Sequence, residues 1–180
     1  LHKHYLKVSG FSFPFLNVAL QLKKSGIPMK ILMVCLGNIC RSPIAEGIMD
    51  ALIQRNYLPW EVDSAGTESY HIGSAPHEYS QKTCLKSNID ISKQTARKFE
   101  KSDLQRFDKI YAMAADVLEA IKHISGTDFN EEKVSLFLNE LYPGSNRSVP
   151  DPWYGEEDGY AEVYDLIERT CERIVEKYRH

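Results

Sequence analysis

A cysteine and an arginine stand six positions apart in Cys35-Leu36-Gly37-Asn38-Ile39-Cys40-Arg41, and Ser42-Pro43 follow. These residue types at this spacing can bind a phosphate and attack it. A loop curling between a strand and a helix turns successive backbone N–H groups inward as an anion nest. The helix N-terminus adds partial positive charge, and Arg41 can grip two phosphate oxygens with its planar fork. A thiol in such a field is driven toward the thiolate, its reactive form. Gly37 lets the loop curl, Asn38 tolerates left-handed backbone angles, and Ser42 can offer its hydroxyl to the sulfur. Leu36, Ile39 and Cys40 complete the expected phosphate-binding loop. The segment is not the nucleotide-binding G-x4-G-K-[ST] loop, whose lysine and second glycine it lacks. For Cys35 alone, the ordinary alternative is a core cysteine at a strand end; its neighbours favour a nucleophile.

Such a loop needs a strand before it and a helix after it. Lys30 to Cys35 is an apolar run of strand type. Ser42-Pro43 reads as an N-cap and first helical residue, and Ile44, Ile48, Met49 and Leu52 recur at helical spacing. Downstream, Val62 marks a short second strand before Asp63-Ser64-Ala65-Gly66-Thr67. A loop to Pro76, a helix toward Ser87 and a helical turn over Asp103–Phe107 follow. Asp108–Met113 reads as a third strand, with a helix to about His123, and Lys133–Phe137 as a fourth. A loop from Leu141 to Asp158 leads to a helix with Val163, Ile167, Cys171, Ile174 and Tyr178 on one stripe. Strand–helix alternation predicts an α/β fold.

The composition allows this. The chain has 180 residues, 43% hydrophobic and 26% charged, enough for one packed domain. No apolar run of about 18 residues spans a membrane. The net charge is −3. Lys3, Lys7, Lys23 and Lys24 fall before residue 29 with no acid among them, so the rest is more acidic than the total. That balance argues against a nucleic-acid-coating surface. The four cysteines show no C-x2-C and no zinc-finger spacing, and point to a reducing cytosol. Cys84 and Cys171 read as core residues. Residues 1–28 are expected to be an N-terminal extension, non-native or flexible, before a domain at 29–180.

The loop resembles the active-site loop of the low-molecular-weight protein tyrosine phosphatases. The resemblance extends from Lys30 to about Tyr178 through Asp63-Ser-Ala-Gly-Thr67, Tyr70-His71-x-Gly73, Ala96-Arg97 and Asp151-Pro152-Trp153-Tyr154-Gly155. It implies a three-layer α/β/α sandwich with a four-stranded parallel sheet and the phosphate-binding loop after the first strand. It also implies a cytoplasmic phosphotyrosine phosphatase working through a cysteinyl-phosphate, with catalytic residues Cys35, Arg41 and Asp151. An Asp-Pro pair is otherwise a turn initiator; in this loop Asp151 would protonate the leaving phenolate. Tyr70, Trp153 and Tyr154 are expected as walls stacking on the substrate ring, with ordinary loop packing as the alternative. The resemblance further implies a reversible Cys35–Cys40 disulfide, against a plain packed thiol for Cys40. His71 is expected either to support the loop or simply to pack, and the other histidines to lie at the surface or in the leader. Glu156-Glu157 reads as a solvated face. No metal or cofactor is expected. The expected partner is a phosphotyrosine protein, a tyrosine kinase among the candidates, with no nucleic acid and no membrane insertion.

The chain departs from the family pattern at Ala114, where an acid is common, and at Pro76-His77-Glu78-Tyr79-Ser80. Three rivals stand. A thiol-coupled arsenate reductase would need a further close cysteine pair. An arginine phosphatase carries Thr where this chain has Ile39. A non-catalytic phosphopeptide-binding module needs neither Cys35 nor Asp151.

Overall fold

Strand β1, Met29–Cys35, is the sequence Met-Lys-Ile-Leu-Met-Val-Cys, and Ile31 to Val34 have no solvent exposure. A strand apolar on both faces belongs inside a parallel sheet covered from both sides, and β1 occupies that place. It pairs in parallel with β2, Trp60–Gly66, and with β3, Lys109–Ala112; β3 pairs in parallel with β4, Val134–Leu136. The sheet order is β2-β1-β3-β4. The computed structural model describes residues 26–155 and 157–180, with Tyr154 described by its backbone alone. The expectations for residues 1–25 and for Glu156 lie outside the described residues.

Parallel neighbours need crossover connections. Among the described residues α1, Arg41–Arg55, α2, Glu78–Lys86, α3, Asp103–Arg106, and α4, Ala115–Ser125, lie in them, and α5, Glu157–Tyr178, follows the last strand. The alternation along β1 separates two cores. Ile31 and Met33 pack with Ile44 and Ile48 of α1 and with Ile167 and Cys171 of α5. Leu32 and Val34 pack with Leu104 of α3 and with Val117 and Ile121 of α4. The result is the expected three-layer α/β/α arrangement. No helix among the described residues is long and apolar enough to cross a membrane.

Local boundaries differ where polar side chains have other work. Helix α1 starts at Arg41 with Cys40 in the cap position, two residues earlier than Ser42-Pro43 implies. Ser42 does not cap, because its hydroxyl is held near the Cys35 sulfur. Pro43 still falls in the first turn, where a missing N–H costs nothing. Strand β2 runs on through Asp63–Gly66 rather than ending at Val62, since β1 pairs with it as far as Cys35 opposite Gly66. In the long loop, Pro152–Tyr154 forms a 3-10 turn. Glu157 opens α5 and pairs with Lys86 at 3.0 Å instead of standing free.

Candidate active site

The loop between β1 and α1 closes around its own sulfur. The backbone N–H of Asn38 donates to Cys35 Sγ at 3.2 Å, and the Ser42 hydroxyl lies 3.0 Å from the same sulfur. Asn38 makes this turn possible with φ of 57°, the left-handed region that Asn tolerates. Its buried amide then ties the loop from behind. Nδ2 donates to Ser42 Oγ at 3.0 Å and to Ser64 Oγ at 2.8 Å, while Oδ1 accepts from the Arg97 N–H at 2.9 Å. An amide nitrogen only donates, so the single Ser42 proton is free for the sulfur or for the Ala65 carbonyl at 3.4 Å. The loop also presses on the end of β2. A side-chain carbon at Gly66 would lie 2.8 Å from the Leu36 carbonyl oxygen, closer than packed atoms approach, so only glycine fits there.

A second shell of charge fixes this support. The Arg97 guanidinium bridges Asp63, at 2.8 Å, and the fully buried Asp103, at 2.9 Å. Ser64 donates to Glu46 Oε2 at 2.5 Å. Burial pushes the Glu46 carboxyl up to about 7, with Asp63 and Asp50 adding to the rise.

Asp151 comes from the far end of the chain to meet Arg41. Their side chains pair at 2.6 Å, Nη2 to Oδ2, and Arg41 Nη1 also donates to the Val149 carbonyl at 3.3 Å. The other Asp151 oxygen accepts from the Trp153 N–H at 3.1 Å and so caps the Pro152–Tyr154 turn. Asp151 therefore initiates a turn and faces the arginine at once. A cavity of about 210 Å³ lies between these parts. Cys35, Leu36, Gly37, Ile39, Cys40 and Arg41 form its floor; Tyr70, His71, Asp151 and Trp153 rise around it.

Of the residues singled out from sequence, all of these meet at one cavity except three. Asn38 and Ser42 are buried behind the floor, and the Tyr154 side chain lies outside the described ones. Tyr70 is 78% exposed and Trp153 45%, and both line the cavity on its solvent side. Cys40 is a buried thiol pushed up to about 11 by burial. Cys84 and Cys171 are fully buried core residues, as expected, and burial raises the Cys84 thiol to about 12. His71 packs over Gly37 and 5.8 Å from the Trp153 ring. His77 is half-buried rather than free at the surface: it stacks on Tyr160 of α5, with 5.5 Å between ring centres. Periodicity did carry a signal for Tyr160, three residues before Val163 on the α5 stripe. Ser64 and Arg97 lie in segments that carried the family resemblance, without a role attached, and nothing local marked Glu46; their partners are distant in sequence. Among the described residues, no cluster of three His, Cys, Asp or Glu side chains is arranged to hold a metal ion.

The sequence profile of the low molecular weight phosphotyrosine protein phosphatases matches residues 30–180. The chain belongs to that family. A low molecular weight phosphotyrosine protein phosphatase of Gallus gallus is 36% identical over 156 residues, covering 85% of this chain and 98% of the relative. The structure of a protein tyrosine phosphatase from Entamoeba histolytica, solved with Hepes in the active site, superposes with a TM-score of 0.76. It is 35% identical and is covered over 96% of its length and 83% of this chain. YfkJ from Bacillus subtilis gives the same TM-score at 34% identity, with 84% of this chain and 95% of that one covered. This low molecular weight phosphatase is thus a protein tyrosine phosphatase and a hydrolase.

Proposed function

We propose that the phosphatase hydrolyses phosphotyrosine and small aryl phosphates in two steps at the Cys35–Arg41–Asp151 cavity. The observation that carries this reading is the Arg41–Asp151 pair, 2.6 Å apart, beside the sulfur of Cys35. An arriving phosphate dianion competes with Asp151 for the guanidinium. The buried Arg41 Nε has no acceptor among the described residues, so the fork has a donor to give to phosphate. Next to a dianion the protonated form of Asp151 is favoured, and that form is the one that can act as an acid.

In the first step the Cys35 thiolate forms a bond to phosphorus as the phosphorus–phenol oxygen bond breaks. Asp151 gives its proton to the departing oxygen, a contribution of about 10²–10⁴-fold for such acids. Arg41 and the loop amides stabilise the charge on the transferring group. In the second step Asp151, now a carboxylate, takes a proton from water as the oxygen attacks the cysteinyl-phosphate. The thiolate leaves, helped by the Ser42 hydroxyl, and inorganic phosphate is released. Asn38 holds the loop shape. Tyr70, Trp153 and Tyr154 serve the substrate ring. A slot deep enough to take the phenyl ring favours phosphotyrosine, because the shorter phosphoserine would leave its phosphate out of reach of the floor.

Tyrosine-phosphorylated proteins, a tyrosine kinase among them, are the proposed partners. The proposed compartment is the cytoplasm and the proposed catalytic unit residues 29–180. The test is a panel of phosphotyrosine, phosphoserine and phosphoarginine peptides with p-nitrophenyl phosphate, run on wild type and Cys35→Ser. Only phosphotyrosine and the aryl ester should turn over, and only with wild type. Preferential release from phosphoarginine, or turnover by Cys35→Ser at the wild-type rate, would overturn the reading.

A further inference from the structure

A directional chain of hydrogen bonds leaves the cavity on the side of Cys40. Cys40 Sγ lies 3.5 Å from the Tyr160 hydroxyl, which lies 3.1 Å from His77 Nδ1. The same Nδ1 accepts from the Tyr79 backbone N–H at 3.3 Å. An amide N–H can only donate, so Nδ1 carries no proton and the neutral ring is protonated at Nε2. Tyr160 must then donate to Nδ1, which leaves its oxygen to accept from the Cys40 thiol. The chain therefore has one sense, from thiol to phenol to imidazole. The high proton affinity that burial gives Cys40 agrees with a thiol as the donor.

The His77 ring joins three parts of the site. Its own backbone N–H donates to the Ile39 carbonyl of the phosphate loop at 2.8 Å. One face stacks on Tyr160, and the Trp153 ring meets it edge-on at 5.3 Å, two residues after Asp151. Phosphate loop, acid loop and α5 thus share one imidazole.

The geometry points to His77 as a positioning residue for the reaction, holding Tyr160 against the Cys40 edge of the phosphate loop while it seats Trp153 beside Asp151. This rests on the phosphatase reading above. A second sulfur anion in the loop would repel both the Cys35 thiolate and the substrate dianion; burial keeps that sulfur a thiol, and the chain fixes where its proton points. Protonating Nδ1 destroys the arrangement. The Tyr79 N–H loses its acceptor, the Tyr160 hydroxyl must turn toward the sulfur, and the thiol proton is left without a partner. The titratable and charged groups around the ring are Cys40 from α1's cap, Glu78, Tyr79 and Lys82 from α2, Tyr160 from α5, Asp151 on the acid loop, and His71 across Trp153.

Two measurements on the full chain test the inference. In histidine-labelled protein at about pH 8, the 15N resonance of His77 Nδ1 should be that of an unprotonated ring nitrogen; a proton on Nδ1 overturns the chain. Inhibition of p-nitrophenyl phosphate hydrolysis by inorganic phosphate is the second readout. His77→Asn keeps a side-chain acceptor and a good cap for α2 but loses the ring that stacks on Tyr160 and seats Trp153. Its phosphate affinity should fall about fivefold at about pH 8, the worth of one hydrogen bond, and Tyr160→Phe should show the same loss. Phosphate affinity equal to wild type in both variants overturns the inference. A wild type inactive on the aryl ester would sink the catalytic reading instead, and the nitrogen resonance would still decide the chain.

Discussion

The Ser42 hydroxyl sits 3.0 Å from the Cys35 sulfur and accepts from Asn38, which leaves its proton free to be donated to that sulfur. Such a contact matters most when the sulfur must leave as an anion, in the second step. A hydrogen bond to a charged group is worth about 1.5–3 kcal/mol. Ser42→Ala should therefore slow kcat by about 10- to 100-fold while the initial burst of phenol survives. Rapid-quench measurement checks this, and loss of the burst together with kcat would place the defect in the first step. Asp151 is tested by leaving group. Asp151→Asn preserves the cap on the Pro152–Tyr154 turn but has no proton to give. Its rate on phenyl phosphate should fall about 10²–10⁴-fold, and much less on p-nitrophenyl phosphate, whose phenolate leaves unaided. A uniform fall across a series of phenols would remove Asp151 from the acid role. The Asp-Pro pair was legible in sequence as a turn and, by resemblance, as an acid, and the two oxygens of one carboxylate face different partners, Arg41 and the Trp153 N–H, so the two readings are compatible.

Elements position these residues through contacts that local sequence patterns do not announce. The strand before Cys35 and the helix after Arg41 were readable, since an apolar run and a 3.6-residue repeat are short-range signals. The start of α1 was misread because Ser42 has the composition of a cap and a different task. Glu46 of α1, Ser64 of β2 and Arg97 were invisible as a group, since their pairings join distant segments. Glu46 offers a test of that buried support. Its folded carboxyl titrates near 7 against an ordinary 4.5, so the folded chain keeps the proton to higher pH than the unfolded chain. The stability from this group is complete below about pH 4.5 and is lost as pH rises through about 7. Glu46→Gln keeps an acceptor for Ser64 without the charge. Between about pH 5 and about pH 8, chemical denaturation should show wild type losing ~2–3 kcal/mol relative to the variant. A constant difference across that range would show that Glu46 does not carry its proton in the fold.

At the scale of the whole molecule, the active parts gather because parallel strands all point the same way. β1 ends at Cys35 and β2 at Gly66, the segment after β2 brings Tyr70 and His71, and the chain beyond β4 brings Asp151 and Trp153. The cavity thus opens beyond the carboxyl ends of the strands, where open α/β sheets bind their ligands. The alternation of strands and helices made this arrangement readable; the aromatic wall was readable only as residue types. The N-terminal boundary is a separate matter. Buried Trp60, the first residue of β2, donates its indole N–H to the Ile27 carbonyl at 3.0 Å. That contact lies at the end of the sheet opposite Cys35, since Trp60 pairs with Met29. A chain beginning at Gly26 should keep wild-type kcat/KM and stability. One beginning at Met29 should keep kcat/KM but lose about 1 kcal/mol of stability, the worth of the indole hydrogen bond. Parallel denaturation and aryl phosphate assays on the two truncations decide this. A fall in kcat/KM on removing residues 1–25 would extend the catalytic unit beyond residues 29–180.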